Sequence, residues 1–512
     1  MTANPLATTA RPATEPESAP RPLRILLVLD RSRVWRWQAW LAQALADDGR
    51  SVACLFAETR QPLPSTLHLL IGLERLLFAM PPDQASALLT DADIKALSPA
   101  ADTSARYDLA IDFTGAATHI QADRILRPVF DGIAGDAGAI AAVLERRGPR
   151  VGILDSDTGL RERGTCALEH PEIFTRGLDG LFSRMAGLLL RAARQNAGDV
   201  AATSAAIQPT PAPGAPGLAE PLAFVSSAIA RKASARLARL LEQAPRWYVA
   251  WRRGAARSEA LDIAWQEFVP LPDGGRGYYA DPFVLLHGDT AHVFIEEVPF
   301  ATRKGIISHF TIDASGKATP PRPVLERPYH LSYPFVFERD GETWMIPETS
   351  ANRTVELYRA ERFPDRWVKE AVLLDGVLAD DATVVEHGGR LWMFAGVRDW
   401  QASSWEALGL YHAEALTGPW QAHAGNPVLL DPAAARPAGA LFLHDGQLIR
   451  PAQDCRDGYG TGLAFARVDR LDEQGFAQQV VARVTPQTRA TKGLHTYNRA
   501  GDVEVIDLFG RV

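Results

Sequence analysis

The chain has 512 residues, 46% of them hydrophobic and 22% charged, which is enough for two or three domains that each bury a core. A net charge of -7 and a pI near 6.0 exclude a dominant nucleic-acid-binding role, because phosphate recognition needs a concentrated basic surface. Three distant cysteines, Cys54, Cys166 and Cys455, predict neither a disulfide framework nor a thiolate metal site and favour a reducing compartment. No apolar run approaches the ~18 residues of a membrane span, so we expect a cytoplasmic protein without an integral membrane segment.

Residues 1–198 divide into a tail and an α/β region. The stretch 1–22 is rich in Ala, Pro and Thr and has no apolar run, which predicts a disordered tail. From 23 to 198, strand-like apolar runs alternate with helix-like segments: LRILLVLD (23–30), VWRWQAWLAQALADDGR (34–50), SVACLFA (51–57), YDLAIDFTG (107–115) and RVGILDSD (150–157). Such alternation is typical of an α/β domain with a parallel sheet.

Residues 199–222 and 223–261 connect this region to the rest of the chain. The first stretch is Ala/Pro-rich and has little to bury, which predicts a flexible linker. The second contains RKASARLARLLEQ and WYVAWRR and predicts a basic connecting helix. Such a helix either packs its Leu and Trp face on a neighbouring domain, which we favour, or lies on a membrane surface.

Residues 262–512 contain a repeat. DPFVLLHGD (281–289), YPFVFERDG (333–341), DATVVEHGG (381–389) and AGALFLHDG (438–446) each place an alternating strand before a Gly turn, and a second strand follows at once. The units begin about every 50 residues, the length of one four-stranded blade. HTYNRAGDVEVID (495–507) begins a fifth, incomplete unit. We expect a five-bladed β-propeller whose last blade is completed near IAWQEFVPL (263–271), because this closure removes open sheet edges.

The register of the repeat places polar side chains at one face of the propeller. In each blade the first strand begins, and the second strand ends, at the same face around the central axis. Equivalent first-strand starts are occupied by Asp281, Tyr333 and Asp381, and equivalent second-strand ends by Glu296, Glu348 and Gln453. We assign to the same rim Arg436, Arg450, Asp454, His495 and Asn498. This mixture suits a sugar, whose hydroxyls need both donors and acceptors.

The motif ADPFVLLHGD resembles the first-blade motif of five-bladed family 43 glycoside hydrolases. The resemblance implies that Asp281 is the general base and that Asp381, or its neighbour Asp380, orients and tunes the acid–base pair. In that family the general acid is a Glu on the fourth blade. This sequence departs from the pattern, because Arg436 stands near that place.

A longer resemblance covers about residues 260–510. ADPFV, HLSYPFVFERDGETWMIPET, LYRAERFPDRW, GPWQAH, RPAG, RPAQDCRDGYG and HTYN, in this order, resemble the N-terminal domain of plant glucosamine inositolphosphorylceramide transferases and their bacterial relatives. The resemblance implies a glycan-related setting; in the plant proteins the glycosyltransferase module is a separate domain. Bacterial relatives tend to carry an N-terminal region similar to a formyltransferase. Residues 23–198 are compatible with that type, but HPEIF (170–174) replaces the family's HPSLLP-like motif, so we expect a degenerate formyltransferase-like domain.

Two hypotheses on function follow. In the first, the protein acts on a glycosidic bond with Asp281 as base, Asp381 as tuning carboxylate and Glu348, or alternatively Glu296, as acid. In the second, which Arg436 on the fourth blade favours, the protein is a non-catalytic module that binds glycans or glycolipid precursors during polysaccharide or glycoconjugate assembly.

Either hypothesis calls for a sugar, oligosaccharide or glycolipid ligand, with further partners in glycan assembly. The sequence predicts no cofactor and no metal site, since it contains neither HxH nor HExxH spacing. A funnel of carboxylates could nevertheless hold Ca²⁺ through oxygen ligands.

Overall fold

The computed structural model describes residues 21–57, 63–97, 101–102, 104–114, 120–195, 217, 219–240, 245–254, 261–486, 488 and 490–511. Apart from residues 21–22, 217 and 219–222, the predicted tail (1–22) and the predicted linker (199–222) lie outside these ranges. The described residues form an N-terminal α/β region followed by a β-propeller.

The N-terminal region is one sheet with helices against it. Its elements are β1 (Arg24–Asp30), α1 (Arg36–Asp47), β2 (Ser51–Ala57), α2 (Ser65–Leu77), α3 (Asp91–Ala96), β3 (Tyr107–Asp112), β4 (Ala122–Phe130), β5 (Ile133–Ala134), α4 (Ala137–Leu144), β6 (Arg150–Asp155), β7 (Gly159–Thr165) and α5 (Phe174–Arg194). The strand order is β2-β1-β3-β4-β6-β7, with β5 paired to β4. The 21-residue α5 supplies much of the core beneath the sheet, including Phe182 and Met185.

The sheet is mixed, so the expected all-parallel sheet is wrong for its second half. Strands β1 to β4 pair in parallel, whereas β4–β6 and β6–β7 are antiparallel. The reason lies in α4, which has eight residues and is therefore about 12 Å long. That length cannot carry the chain back along the nine-residue β4, which spans roughly 30 Å. The chain instead enters β6 at the end where β4 stops.

The C-terminal part is a five-bladed β-propeller, which confirms the predicted fold. After α6 (Ala219–Leu240), β8 (Arg246–Arg253) and β9 (Val269–Pro270), the blades follow in chain order. Their strands are β10 (Gly277–His287), β11 (Thr290–Pro299), β12 (Ile306–Ile312) and β13 (Arg322–Leu325); β14 (Ser332–Arg339), β15 (Glu342–Thr349), β16 (Thr354–Arg362) and β17 (Arg366–Asp375); β18 (Ala379–His387), β19 (Arg390–Val397), β20 (Ala407–Ala413), β21 (Gln421–Ala422) and β22 (Leu429–Leu430); β23 (Phe442–His444), β24 (Gln447–Asp454), β25 (Gly462–Asp472) and β26 (Gly475–Val484); and β27 (Thr491–Gly493), β28 (Tyr497–Ala500) and β29 (Val503–Gly510).

The fifth blade is completed by residues that precede blade one. Strand β8 pairs with β29 along its whole length, from Arg246 opposite Gly510 to Arg253 opposite Val503, and β9 pairs outside β8. The outermost strand β9 falls in the segment 263–271, where we expected the closing strand. The third strand, β8, lies inside the predicted connecting helix over 223–261. That prediction is therefore corrected: the helix α6 begins at Ala219 and ends at Leu240.

The N-terminal region packs against blade three. Arg184 of α5 is fully buried and donates hydrogen bonds to Glu406 Oε1 (2.8 Å), Asp399 Oδ2 (2.9 Å) and the Ser403 carbonyl (3.0 Å). Arg191, two turns further along α5, donates to the same Asp399 carboxylate. The described part of the chain contains no helix with the length and hydropathy needed to cross a membrane.

Candidate functional site at the propeller axis

Three blades open with the same backbone irregularity. Asp281, Tyr333 and Asp381 each lie at a register shift at the start of the first strand, with φ values of 50°, 43° and 56°. A β-bulge of this kind turns a side chain out of the strand's alternation, and a non-glycine residue with positive φ is uncommon. The bulges direct these residues toward the axis, where the blades meet.

Asp281 is held by neighbouring blades. Its Oδ1 accepts a hydrogen bond from Thr496 Oγ1 (2.8 Å) and its Oδ2 accepts one from the Tyr333 N–H (3.2 Å). Its own N–H donates to Asp507 Oδ2 (2.9 Å). Burial raises the pKa of Asp281, and the positive charge of His495 opposes that rise. The carboxyl group is thus fixed in orientation and shifted toward the protonated form.

His495 connects Asp281 to Asp507. Its Nδ1 lies 2.6 Å from Asp507 Oδ2, and its Nε2 lies 3.6 Å from Asp281 Oδ1. The ring stacks on Trp247 with centroids 3.9 Å apart. Burial acts to lower the pKa of His495, but the carboxylates of Asp507 and Asp281 outweigh it and raise the pKa. The arrangement favours an imidazolium beside Asp281.

Within the part of the chain that the structure describes, Asp281, His495 and Asp507 form a group of side chains that could hold a metal ion. Their ligand atoms all lie within 4.8 Å of one another. Ca²⁺ takes six to eight oxygen ligands, whereas this trio offers an imidazole, and the imidazole Nδ1 is already bonded to Asp507. The donor set therefore does not fit Ca²⁺ on its own.

Asp381 is paired with the arginine of the fourth blade. Arg436 Nε lies 2.7 Å from Asp381 Oδ2, and Gln453 Nε2 donates to the same oxygen (3.2 Å). Arg436 Nη1 also donates to Ser404 Oγ (2.7 Å). Burial raises the pKa of Asp381 well above its ordinary value, and the guanidinium of Arg436 opposes the rise. Arg436 is the fourth-blade residue near the place where the family 43 resemblance implied a general acid, and Asp381 is its partner.

Glu348 and Asp380 lie around this pair. Glu348 Oε2 is 3.9 Å from Arg436 Nη2, and Glu348 Oε1 accepts a hydrogen bond from Ser350 Oγ (2.8 Å). Burial, followed by the charge of Asp380, raises the pKa of Glu348. Asp380 is 3% exposed, and its Oδ2, 3.4 Å from Arg398 Nε, makes no hydrogen bond within the described ranges. Asp380 Oδ2 is thus a buried acceptor without a hydrogen bond beside the Asp381–Arg436 pair.

Glu296 forms a separate acid–histidine pair closer to solvent. His330 Nδ1 accepts the Gly305 N–H (2.9 Å), so its Nε2 carries the proton that is donated to Glu296 Oε1 (2.9 Å). Burial raises the pKa of Glu296 to about 7, and the hydrogen bond from His330 opposes the rise. The His330 side chain is 38% exposed, which places this pair where the cluster opens to solvent.

A loop of blade three, residues 398–406, forms part of the rim. The Trp405 ring lies 5.9 Å from that of Tyr459, and the Arg436 guanidinium lies 5.2 Å above the Tyr459 ring. Glu169 of the N-terminal region holds this loop, because its Oε1 accepts from Ser403 Oγ (2.8 Å) and the Ser404 N–H (3.0 Å). Aromatic side chains with a few placed polar groups are the usual lining of a small-molecule site.

Two of the predicted rim residues have structural roles instead. Arg450 is fully buried in blade four, where it donates to the carbonyls of Ala434 and Ala435 and to Gln478 Oε1. Asp454 is paired with Arg456 and Arg483. Their strand ends beside the axis, but these side chains point into blade four. The prediction that they belong to the binding rim is therefore corrected.

Two further predicted residues link blades. Asn498 Nδ2 donates to the Pro282 carbonyl (2.8 Å), and its Oδ1 accepts the Ala440 N–H (2.8 Å). The Tyr333 hydroxyl accepts the Gly439 N–H (2.7 Å) and bonds Thr383 Oγ1 (2.9 Å). Both side chains are buried between blades and stabilise the ring rather than facing solvent.

Several site residues escaped the sequence reasoning: Asp507, His330, Ser404, Trp405 and Tyr459. The repeat register contained a signal for Asp507, which follows the fifth Gly turn at Gly501 by six residues, close to the spacing of the other second-strand ends. The remaining four lie in loops, where the strand register makes no prediction.

Comparisons with known proteins find matches over the propeller. Residues 273–508 match the family model described as glucosamine inositolphosphorylceramide transferase 1, N-terminal. The chain is 31% identical over 256 residues to the glucosamine inositolphosphorylceramide transferase 1 of Oryza sativa subsp. japonica, covering 47% of this chain and 34% of that protein. With the Arabidopsis thaliana protein of the same name it is 32% identical over 225 residues, covering 43% and 29%.

The resemblance predicted for the propeller is thereby confirmed. The chain spans about a third of the length of these curated relatives. The predicted formyltransferase-like character of residues 23–198 stays a prediction, because the match covers the propeller alone.

Solved structures that align with part of this chain include glycoside hydrolases. Zg3597, a family 117 glycoside hydrolase of Zobellia galactanivorans, aligns with a TM-score of 0.35 and 12% identity over 52% of this chain and 91% of that one. The α-L-arabinofuranosidase PaAbf62A of Podospora anserina aligns with a TM-score of 0.35 and 15% identity over 48% and 94%.

Proposed function

We propose that the propeller is a carbohydrate-active module that binds a sugar at the axial cluster and acts on its glycosidic bond. The observation that carries this proposal is a group of buried carboxyl groups: Glu348, Asp380 and Asp381 lie around Arg436, with Asp281 and Glu296 beside them. So many carboxyl groups cannot all stay ionised when buried together, because like charges at close range disfavour ionisation. Some therefore donate hydrogen bonds while others accept them, as sugar hydroxyls require.

The proposed chemistry is hydrolysis by a base and an acid. Asp281 removes a proton from water, the water oxygen bonds to the anomeric carbon, and the acid gives its proton to the departing glycosidic oxygen. Glu296 suits the acid role, because its pKa of about 7 keeps much of it protonated at neutral pH. Glu348, whose pKa is also raised, is the other candidate. Asp381 sets the local charge through its pair with Arg436.

The names of the relatives support one class of ligand. Both curated relatives are named glucosamine inositolphosphorylceramide transferase, which supports a glycoconjugate as the ligand of this module. We propose that other proteins of glycan assembly are its partners and that it works in the cytoplasm, where its three free, buried cysteines stay reduced.

The test is calorimetric binding of the full chain to a panel of mono- and oligosaccharides and glycolipid headgroups, with product analysis for each hit. Asp281→Asn is expected to keep the fold and lose turnover, while Asp340→Asn, at a hairpin where the side chain is 88% exposed, retains both. Full turnover in Asp281→Asn would remove the assignment of the base.

A second candidate function is non-catalytic recognition of glycans or glycolipid precursors. The pairing of Arg436 with Asp381 at the fourth blade favours it, because a fixed cation replaces a proton donor there. Binding without cleavage in wild-type protein, weakened by Arg436→Met, would support recognition. Absence of any binding across the panel would contradict both candidates.

A further inference from the structure

Three histidines lie on one face of blade one, away from the axial cluster. His287 ends β10 opposite Thr290, which is two residues before His292 on β11. His309 lies on β12, two residues before Thr311, which is paired with His292. Residues that are paired across strands, or two apart along one strand, point to the same face of a sheet, so the three imidazoles share a face. His287 and His292 flank the β10–β11 turn, at the face of the propeller opposite the axial cluster.

The rings of His292 and His309 are in direct contact. His292 Nδ1 lies 3.0 Å from His309 Nε2, and both side chains are half-buried. Two imidazole nitrogens on one tetrahedral Zn²⁺ lie about 3.3 Å apart, because each Zn–N bond is about 2.0–2.1 Å long. The pair therefore has nearly the spacing of two metal ligands, and a small rotation of either ring directs both lone pairs at one ion.

The surroundings of this pair favour neutral imidazoles, the form that binds a metal ion. Burial, followed by the neighbouring His292, lowers the pKa of His309 to about 3, against the opposing charge of Asp365. Burial and the charge of His287 also lower the pKa of His292. Each neutral ring keeps one nitrogen whose lone pair can bind an ion.

His287 lies beside this pair and is held by blade two. Its Nε2 is 2.8 Å from Glu338 Oε1, and its ring centroid is 5.1 Å from that of His292. A metal-bound histidine almost always gives its other ring N–H to a carboxylate, a carbonyl or water. Because Glu338 engages Nε2, the Nδ1 of His287 is the nitrogen left for an ion. The His287 side chain is 35% exposed, which gives an ion a path from solvent.

The other blades show that the fold does not require histidines at these places. By the same strand pairing, Trp392 occupies the place of His292 in blade three, and Leu410 occupies the place of His309. In blade two the first of these places is again a tryptophan, Trp344. Blade one thus has two imidazoles where the repeat otherwise has large, mainly apolar side chains. Packing alone does not account for this exchange, because burying polar groups lowers stability unless they are bonded.

We propose that His292 and His309, with His287 as the neighbouring third ligand, form a binding site for a divalent transition-metal ion such as Zn²⁺. Imidazole suits Zn²⁺, Cu²⁺ and Ni²⁺, whereas Ca²⁺ and Mg²⁺ prefer oxygen ligands. Short spacing motifs in the sequence do not indicate this site, because His292 and His309 are 17 residues apart and meet through strand pairing. The site is separate from the axial cluster and does not depend on the function proposed for it.

The experiment is calorimetric titration of the metal-free full chain with Zn²⁺, and with Mg²⁺ for comparison. Wild-type protein is expected to bind Zn²⁺ saturably with one-to-one stoichiometry. His309→Leu, which copies blade three, should fold and weaken the affinity by about 100-fold or more, because losing even a residue that only hydrogen-bonds to a ligand costs about 10–100-fold. His412→Gln is the matched control: this half-buried histidine lies on β20 of blade three, and its loss should leave binding unchanged.

Two further measurements distinguish this site from the axial group of Asp281, His495 and Asp507. His495→Gln removes the only imidazole of that group and should keep Zn²⁺ binding. Cu²⁺ bound in place of Zn²⁺ should show coupling to imidazole nitrogens by electron paramagnetic resonance, and this coupling should decrease in His309→Leu. No saturable Zn²⁺ binding in wild type, equal binding in His309→Leu, or loss of binding in His495→Gln with retention in His309→Leu would overturn the proposal.

Discussion

Arg184 Nε donates to Glu406 Oε1 at 2.8 Å, and both side chains are buried between the N-terminal region and blade three. Removing one partner of a buried ion pair leaves the other charge uncompensated, which typically costs about 3–5 kcal/mol. We expect Arg184→Met to lower the free energy of unfolding by that order. Urea denaturation of the full chain measures it, with the more exposed Arg191→Met as a milder comparison. Equal stability of Arg184→Met and wild type would contradict this role for the pair.

Gly439 is required by the close approach of blades four and five. Its φ is 142°, and a Cβ atom there would lie 2.1 Å from the Tyr497 carbonyl oxygen. Gly439→Ala should therefore destabilise the propeller by about 3 kcal/mol or more, since the clash is with backbone. Gly446→Ala is the control: its φ of 74° is also positive, but nothing lies within 4 Å, so the cost is the conformational strain alone, about 1 kcal/mol. Equal urea midpoints for the two variants would refute the steric argument.

Ser404 connects the N-terminal region to the axial cluster through two hydrogen bonds. The Glu169 carboxylate accepts a hydrogen bond from the Ser404 N–H, and the Ser404 hydroxyl accepts one from Arg436. We expect Ser404→Ala and Glu169→Gln to leave global stability within about 1 kcal/mol but to increase hydrogen exchange in residues 398–406. If the protein binds a sugar, the affinity for that sugar should also fall in both variants. Unchanged exchange in both variants would show that the loop is ordered without these contacts.

We expect Glu296 to make the stability of the protein depend on pH. Burial raises its pKa to about 7 from an ordinary 4.5, so between these values the native state holds more protons than the unfolded chain. The free energy of unfolding should fall as pH rises through this window, by up to about 1.4 kcal/mol per pH unit.

Glu296→Gln should flatten that dependence. Unfolding free energies at about pH 5, 6, 7 and 8 measure the slope, and Glu386→Gln, whose side chain is 57% exposed, serves as control. A slope that persists unchanged in Glu296→Gln would assign the titration to another group.

The sequence repeat predicted the propeller. It did not predict strand β8, because that strand is buried on both faces. RWYVAWRR packs Tyr248 and Ala250 into one apolar cluster and Val249 and Trp251 into another. A strand that is buried on both faces loses the polar–apolar alternation by which strands are recognised. Because arginines lie at the end of this segment, its sequence predicts part of a basic helix.

The sequence predicted the axial residues only where the strand register determines their position. Asp281, Asp381 and Glu296 occupy strand positions that the Gly turns fix, so counting located them. The same counting could not separate Arg450, which points into its own blade, from Gln453, which reaches Asp381. That distinction depends on which way each side chain leaves the strand, and this is set by packing between blades.

The closure of the ring has a consequence for how the molecule is made. Residues 246–253 pair with residues 503–510, and the Asp281 N–H donates to Asp507, so both partners are synthesised last. A nascent chain in which only four blades have been synthesised therefore has an unpaired strand edge and an incomplete axial cluster. Contacts of such long sequence separation form slowly, and such an exposed edge is what chaperones shield. The axial cluster is therefore complete only in chains translated through β29, which supplies Asp507.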